Sequence, residues 1–199
     1  MAAAELQQRR TGRVLDIGCG AGRNAVPLAR LGWTLLGTDL SWPMLRAAAD
    51  RISTEAPACR ARFVLAPMDH LPVASATVDI VVAQGIWNLA GSDAMFRSAV
   101  AEAARVARPG AALFVFTFSR HTLSTDAEPV AGQRFVFTQF SGQPQCFLTE
   151  GDLLAELRIA GFALEPGSTV REYNRPRAGS LMRGSGPVIY EAVFRREPD

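Results

Sequence analysis

A chain of 199 residues, 48% of them hydrophobic, is long enough to bury one sizeable core and fits one domain or a core with a modest appendage. The formal charge of +2 is too small to indicate nucleic acid by itself, and all 21 basic residues are arginine, so no lysine is available as Schiff-base partner or general base. Three scattered cysteines (Cys19, Cys59, Cys146) argue against a disulfide framework or zinc site and for a reducing cytoplasm, and no apolar run or leader reaches the length of a membrane span.

In chain order, "RVLDIG" (13–18) reads as a short buried strand and "NAVPLARLG" (24–32) as a helix stopping at Gly32. "WTLLGTD" (33–39) is a second strand. Ser41 is placed to cap the helix "WPMLRAAADRIS", with Pro43 in its first turn, where a missing N–H does little harm. "ARFVLAP" (61–67) and "VDIVVAQ" (78–84) are the third and fourth strands, joined by a crossover too short for more than an irregular turn. "DAMFRSAVAEAARVA" (93–107) has apolar residues at helical spacing and is expected to stop before Pro109-Gly110, with "AALFVFTF" (111–118) as a fifth strand. This alternation predicts a parallel sheet covered by helices on both faces.

Beyond residue 118 the rhythm changes. A polar stretch contains one β-like run, "RFVFTQF", and "LTEGDLLAELRIAGF" then reads as a helix capped by Thr149. Two late strands near 163–171 and 187–195 are expected to finish the sheet as an antiparallel pair. The chain reads as a single domain, 1–199, with a ligand-binding half over 13–118 and a substrate-side half over 119–199.

The densest motif is "DIGCGAGRN", which places Gly18, Gly20 and Gly22 where a strand hands over to a helix. Glycines there permit tight turning and let a ligand approach the backbone, while the helix start offers free N–H groups to an anion. Arg23 stands where a dinucleotide fingerprint wants its third glycine, and no Gly-Lys-Ser/Thr follows, which excludes a P-loop. Asp39 closes the second strand, about 20 residues on, where a carboxylate can accept both hydroxyls of a ribose; an Asp before a capped helix is the plainer reading. Asp69 in "APMDHLP", read at the end of the third strand, can accept an adenine amine with Met68 and Leu71 against the ring, or is simply a loop acid.

"VLDIGCGAG", "LLGTDLS", "APMDHLP" and "RVARPGAALFVFTF" occur in the order found in class I S-adenosylmethionine-dependent methyltransferases, and the chain resembles that family over about residues 13–118. The resemblance implies a Rossmann-like, mostly parallel seven-stranded α/β sheet with an antiparallel C-terminal strand. It implies that Asp16 and the backbone of Gly18 and Gly20 hold the methionine end of S-adenosylmethionine. Gly22, Arg23 and Asn24 complete that loop, Asp39 and Leu40 meet the ribose, Met68 and Asp69 meet the adenine, and Gln84 and Gly85 border the methyl group. S-adenosylhomocysteine would be the product, and no metal is required.

The Arg23-Asn24 pair and the late helix-then-strands layout are similar to small-molecule methyltransferases of the tellurite-resistance type, which implies small nucleophilic acceptors such as thiols or metalloid oxyanions. Arginines in "REYNRPRAG" (171–179) suit an anionic acceptor or form a solvated basic edge. His121, just past the fifth strand, is the candidate general base, with Tyr173 a remoter one; His70 is expected near the adenine without a catalytic role. Trp87 reads equally as packing or as a substrate wall, while Trp42 either flanks the adenine or packs inward.

Few residues precede the glycine strand, where many family members carry a helical cap. The cap is therefore expected from 119–148 and 172–186, unless the gene start is truncated. A small-molecule partner, no nucleic acid or membrane, and a monomer or homodimer are expected. The rival readings are a non-catalytic S-adenosylmethionine-binding protein and a dinucleotide-dependent oxidoreductase.

Overall fold

The computed structural model describes residues 12–175 and 186–198, and its first half follows the alternation read from the sequence. Strand β1 (Arg13–Ile17), helix α1 (Ala25–Arg30), strand β2 (Thr34–Asp39), helix α2 (Trp42–Glu55), and strands β3 (Ala61–Leu65) and β4 (Val78–Gln84) succeed one another. A 3-10 turn (Trp87–Leu89) leads to helix α3 (Asp93–Val106) and strand β5 (Ala107–Phe118). A second 3-10 turn (Arg120–Thr122) precedes a short hairpin of β6 (Val136–Phe137) and β7 (Gln145–Cys146). Helix α4 (Glu150–Ile159) and strands β8 (Phe162–Leu164), β9 (Arg171–Tyr173) and β10 (Ile189–Arg196) complete the described chain.

The main sheet runs β3-β2-β1-β4-β5-β10-β8, and β9 also pairs with β10. Pairings from β3 through β5 are parallel, whereas β10 is antiparallel to β5, β8 and β9. The late strand expected at 163–171 is thus two strands, lying on the same side of β10. Pro166 has no N–H to continue the ladder, Gly167 turns at φ +77°, and the Ser168 N–H closes on the Glu165 carbonyl at 2.9 Å. A second correction concerns β5. It begins at Ala107, before Pro109-Gly110, because Val78 faces Ala107 while Ile80 faces Ala112 and the intervening residues bulge out.

Sheet residues alternate between two apolar layers. Leu15, Ile17, Val81, Ala83, Leu113 and Val115 pack with Phe96, Val100 and Ala103 of α3 and Leu153 and Leu157 of α4. Val14, Leu35, Ile80, Val82 and Phe114 pack on the other side with Val26 and Leu28 of α1 and Ile52 of α2. Burial on both faces explains why these strands read as continuous hydrophobic runs.

The 119–148 segment is anchored to the first layer through buried Phe135, Val136, Cys146 and Leu148. Asp93, at the start of α3, accepts the Arg134 N–H at 2.6 Å and the Phe135 N–H at 3.3 Å. A bidentate Arg97–Glu156 pair at 2.9 and 2.8 Å joins α3 to α4. Thr149 caps α4 as expected, in a reciprocal capping box with Asp152. The Ser41 side chain makes no cap to α2.

Candidate functional site

The chain order reverses between β1 and β4, and at the carboxyl ends of these strands such sheets bind ligands. Here the glycine loop leaves β1. Its three glycines all adopt positive φ, at +68°, +52° and +76° for Gly18, Gly20 and Gly22, but they serve different ends. A Cβ on Gly18 would meet the Ile86 side chain at 2.6 Å, and one on Gly22 would meet Ala48 at 3.1 Å. At Gly20 no described atom beyond its chain neighbours lies within 4 Å of that position, so a ligand can approach the backbone from that side.

Beneath the loop, Asp16 is 1% exposed and its Oδ2 has no hydrogen-bond partner among the described residues. Burial pushes its carboxyl up to about 7, with a hydrogen bond from Asn24 and the charge of Arg23 pulling it back and the charge of Asp39 adding to the rise. Arg23 itself is exposed. A buried carboxylate with an idle oxygen is costly unless a cation or donor arrives. The nearby thiol of Cys19 is pushed up to about 12 by burial and by Asp16 and Asp39, which leaves it inert.

Asp39 ties two loops together. Its Oδ2 accepts the Gly20 N–H at 2.9 Å and its Oδ1 accepts the Ser41 N–H at 2.8 Å. Each oxygen keeps a lone pair, so the carboxylate is held in orientation while still able to accept from a ligand hydroxyl. Beside it Leu40, Trp42 and Met44 are exposed, so Trp42 does not pack inward.

Asp69 is half-buried in a turn beyond β3 rather than at its end. The Ala66 N–H still bonds to the Asp39 carbonyl at 3.1 Å, but Pro67 cannot continue the ladder. Met68 and Leu71 are turned into the core, which leaves little of either side chain for an adenine ring. Arg105 and Glu102 fix the segment that follows: the guanidinium donates to the Leu71 and Val73 carbonyls, and Glu102 accepts the Leu71 N–H. His70 is exposed.

Gln84 and Gly85 are half-buried at the end of β4, with Gly85 at φ +73° and its N–H donated to the Phe116 carbonyl at 2.9 Å. Trp87 is fully buried, edge-on to Phe96, so it packs rather than walls a substrate site. Asn88 is also buried, and its Oδ1, near Gly85, has no partner among the described residues.

Past β5 the structure assembles a group that residue-by-residue reading missed. Tyr190 on β10 lies opposite Thr117 of β5 on one side and Glu172 of β9 on the other. That register brings Glu172 to Ser119 and His121. The buried Ser119 hydroxyl donates to Glu172 Oε1 at 2.8 Å, and His121 Nδ1 lies 2.5 Å from the same oxygen. Burial raises the Glu172 carboxyl, but hydrogen bonds from His121 and Ser119 and the charges of His121 and Arg175 outweigh it, holding it below the usual range. No local signal marks Glu172, because its partnership spans 51 positions. Tyr173, its neighbour, is 39% exposed. Of the late arginines, Arg171 is exposed, Arg175 pairs with Glu172 at 3.1 Å, and Arg177 and Arg183 lie outside the described residues.

A family model described as a methyltransferase domain matches residues 14–110, covering the glycine loop, Asp39, Asp69 and the β4 end. That stretch matches a methyltransferase domain, and the chain has the class I S-adenosylmethionine-dependent methyltransferase fold. The chain is 32% identical over 145 residues to the ubiquinone/menaquinone biosynthesis C-methyltransferase UbiE of Pseudomonas putida, an alignment covering 70% of this chain and 55% of that one. The chain thus spans about half the length of such curated relatives. A crystal structure of a methyltransferase from Methanosarcina mazei superposes at TM-score 0.80 with 18% identity, covering 100% of this chain and 99% of that one. The Burkholderia thailandensis 1,6-didemethyltoxoflavin-N1-methyltransferase, solved with its substrate and S-adenosylhomocysteine, superposes at TM-score 0.74 with 20% identity over 99% and 77% of the two chains.

S-adenosylmethionine is the cofactor of this family, and the residues present fit it. The idle Asp16 oxygen suits a cationic group, the open Gly20 backbone suits close approach, and the oriented Asp39 suits a diol. Among the described residues no group of three or more His, Cys, Asp or Glu could hold a metal, and no helix is long and apolar enough to cross a membrane.

Proposed function

We propose that this chain transfers a methyl group from S-adenosylmethionine to a small-molecule acceptor. The observation that carries the reading is the buried Asp16 carboxyl with its unpartnered Oδ2 beneath the uncovered Gly20 backbone. Asp16 takes the ammonium of the methionine end and the loop N–H groups take its carboxylate. Asp39 takes the ribose hydroxyls, Leu40 and Trp42 offer exposed apolar surface to the nucleoside, and Asp69 takes the adenine amine. Gln84, Gly85 and Asn88 border the reacting end.

When bound, S-adenosylmethionine supplies an electrophilic methyl on a cationic sulfur that leaves as a neutral thioether. The chain's task is then to align the acceptor in line with that methyl and to shut out water, and such positioning can be worth roughly 7–11 kcal/mol. Residues 119–148, packed over the first apolar layer, border the acceptor side. Arg120 reaches over the Phe137 ring at 4.8 Å and donates to the Ser124 and Ala127 carbonyls, so one wall of the cleft beside His121 is cationic and fixed. That charge supports a small acceptor that reacts as an anion, such as a thiolate, phenolate or oxyanion.

The test is calorimetric titration with S-adenosylmethionine. Asp39→Ala removes hydrogen bonds to a charged group worth roughly 1.5–3 kcal/mol, so affinity is expected to fall about ten- to a hundred-fold. Unchanged affinity would refute the assignment. Binding with no turnover across thiol, phenol and amine acceptors would favour the non-catalytic reading instead.

A further inference from the structure

We infer that Glu172 is a positioning residue that holds His121 as the general base for a proton-bearing acceptor, a hydroxyl or thiol, at the carboxyl end of β5. This rests on the methyl-transfer reading and adds the acceptor class and the residue that prepares the base.

An ionised carboxylate only accepts, so a nitrogen 2.5 Å from Glu172 Oε1 must carry a hydrogen. In neutral His121 that hydrogen is on Nδ1, and Nε2 is left as a bare acceptor. Ser119 secures the geometry twice: its hydroxyl donates to Glu172 at 2.8 Å and accepts the His121 backbone N–H at 3.1 Å. Ser119 is 0% exposed, and its single hydrogen is already given to Glu172. It is therefore part of the support and not a nucleophile.

The imidazole itself is 46% exposed and lines a cleft of about 390 Å³ with Arg120, Leu123, Thr125 and Arg175. Its Nδ1 is taken by the half-buried Glu172 and lies 3.3 Å from the buried Ser119 Oγ, which leaves Nε2 as the ring nitrogen available to an acceptor. The cleft lies past β5, whose Phe116 carbonyl is bonded to Gly85 at the end of β4. The charged and titratable groups around the ring are Glu172 and Arg175 from the β9 side and Arg120 beside it, while Tyr190 of β10 meets Ser119 and Glu172 rather than the ring. Two arginines near the ring favour the anion that forms as the acceptor loses its proton.

In the step itself, Nε2 takes the acceptor's proton as the lone pair left on oxygen or sulfur forms the bond to the methyl carbon. The carbon–sulfur bond of the donor breaks, its electron pair staying on sulfur, and the imidazolium releases its proton to solvent. The products are the methylated acceptor, the thioether and one proton.

The chain has only 2 histidines, so a nitrogen-15 imidazole spectrum of the full chain contains only His70 and His121, and His70→Gln assigns them. The wild-type His121 is expected as the Nδ1–H tautomer. Glu172→Ala is expected to shift it toward Nε2–H, whereas Glu172→Gln, whose amide oxygen still accepts, is expected to retain it. An Nε2–H tautomer in the wild type, or no response to Glu172→Ala in a chain with unaltered thermal unfolding, overturns the positioning role.

Turnover is read separately, with catechol and 2-mercaptoethanol as proton-bearing acceptors and iodide as one with no proton. His121→Ala is expected to lose about a hundred-fold or more on the first two and little on iodide. Equal losses on all three overturn the base role, and a wild type that takes iodide alone overturns the acceptor class. A chain that binds S-adenosylmethionine but methylates none of them overturns the methyl-transfer reading and the base role with it, while the tautomer still decides what Glu172 does.

Discussion

The rim at β1 and β2 and the rim at β5 and β10 are built by opposite means. At the first, Asp16, Gly20 and Asp39 sit close along the chain, and one carboxylate ties the two loops by accepting Gly20 and Ser41 N–H groups. At the second, Ser119, His121 and Glu172 meet only because β10 runs back between β5 and β9. A site made by consecutive parallel strands leaves a compact motif. A site made by an antiparallel return is spread along the chain and leaves none.

The largest effect is expected inside the glycine loop. Gly18→Ala combines a positive φ with a Cβ 2.6 Å from Ile86, so strain of about 1–2 kcal/mol adds to overpacking of about 1–3 kcal/mol. Thermal unfolding is expected to drop by several degrees or more. Gly20→Ala carries only the backbone strain of about 1–2 kcal/mol, since nothing described faces its Cβ, but it should weaken S-adenosylmethionine binding. Equal stability losses in the two variants would mean that the Gly20 cradle is not open.

Asp16 makes the first rim sensitive to pH. Its folded-state value of about 7 lies above the ordinary 3.8, so the native state binds the proton more tightly. The contribution is complete below the unfolded value and is lost as pH rises through about 7, where burying the charge costs a few kcal/mol. Asp16→Asn is therefore expected to raise the unfolding temperature at pH 8 while weakening S-adenosylmethionine. Wild-type affinity should fall by about tenfold per pH unit below about 7, as the carboxylate that receives the ammonium is neutralised. An affinity flat from pH 5 to 8 would remove Asp16 from the cofactor's contacts.

A control lies in the pair that joins α3 to α4. Arg97→Ala leaves Glu156, 5% exposed, without its bidentate partner and is expected to cost about 1–3 kcal/mol by denaturant unfolding. Cofactor affinity should not change, because the pair joins α3 to α4 away from the glycine loop.

The smallest effect belongs to the second rim. Glu172 is held below its ordinary range, so its stabilisation is present above the unfolded value and is lost as pH falls through the folded one. The unfolding temperature of Glu172→Gln should trail the wild type at pH 7 and meet it in strong acid, by no more than about 1 kcal/mol. A gap that persists in acid would assign Glu172 to packing rather than to its charge.

Much of the fold was legible because buried parallel strands and amphipathic helices write their periods directly into the chain. Asp39 and the glycine loop were legible too, since their geometry follows from residues close together. Three misread boundaries share a cause: Pro67, Pro109 and Pro166 each lie where ladder hydrogen bonding decides the local course. A proline in the sequence reports a missing N–H without saying whether the strand ends, bulges or divides there.

By itself, then, the amino-acid sequence determined the α/β alternation, the glycine loop and the acids that close β1 and β2, because near neighbours along the chain suffice to form them. Only the tertiary structure decided that Met68 turns inward, that Trp42 turns outward, that β8 and β9 share one side of β10, and that Glu172 reaches His121. Each of those depends on which distant strand supplies the facing surface, and that choice is made by the whole sheet at once.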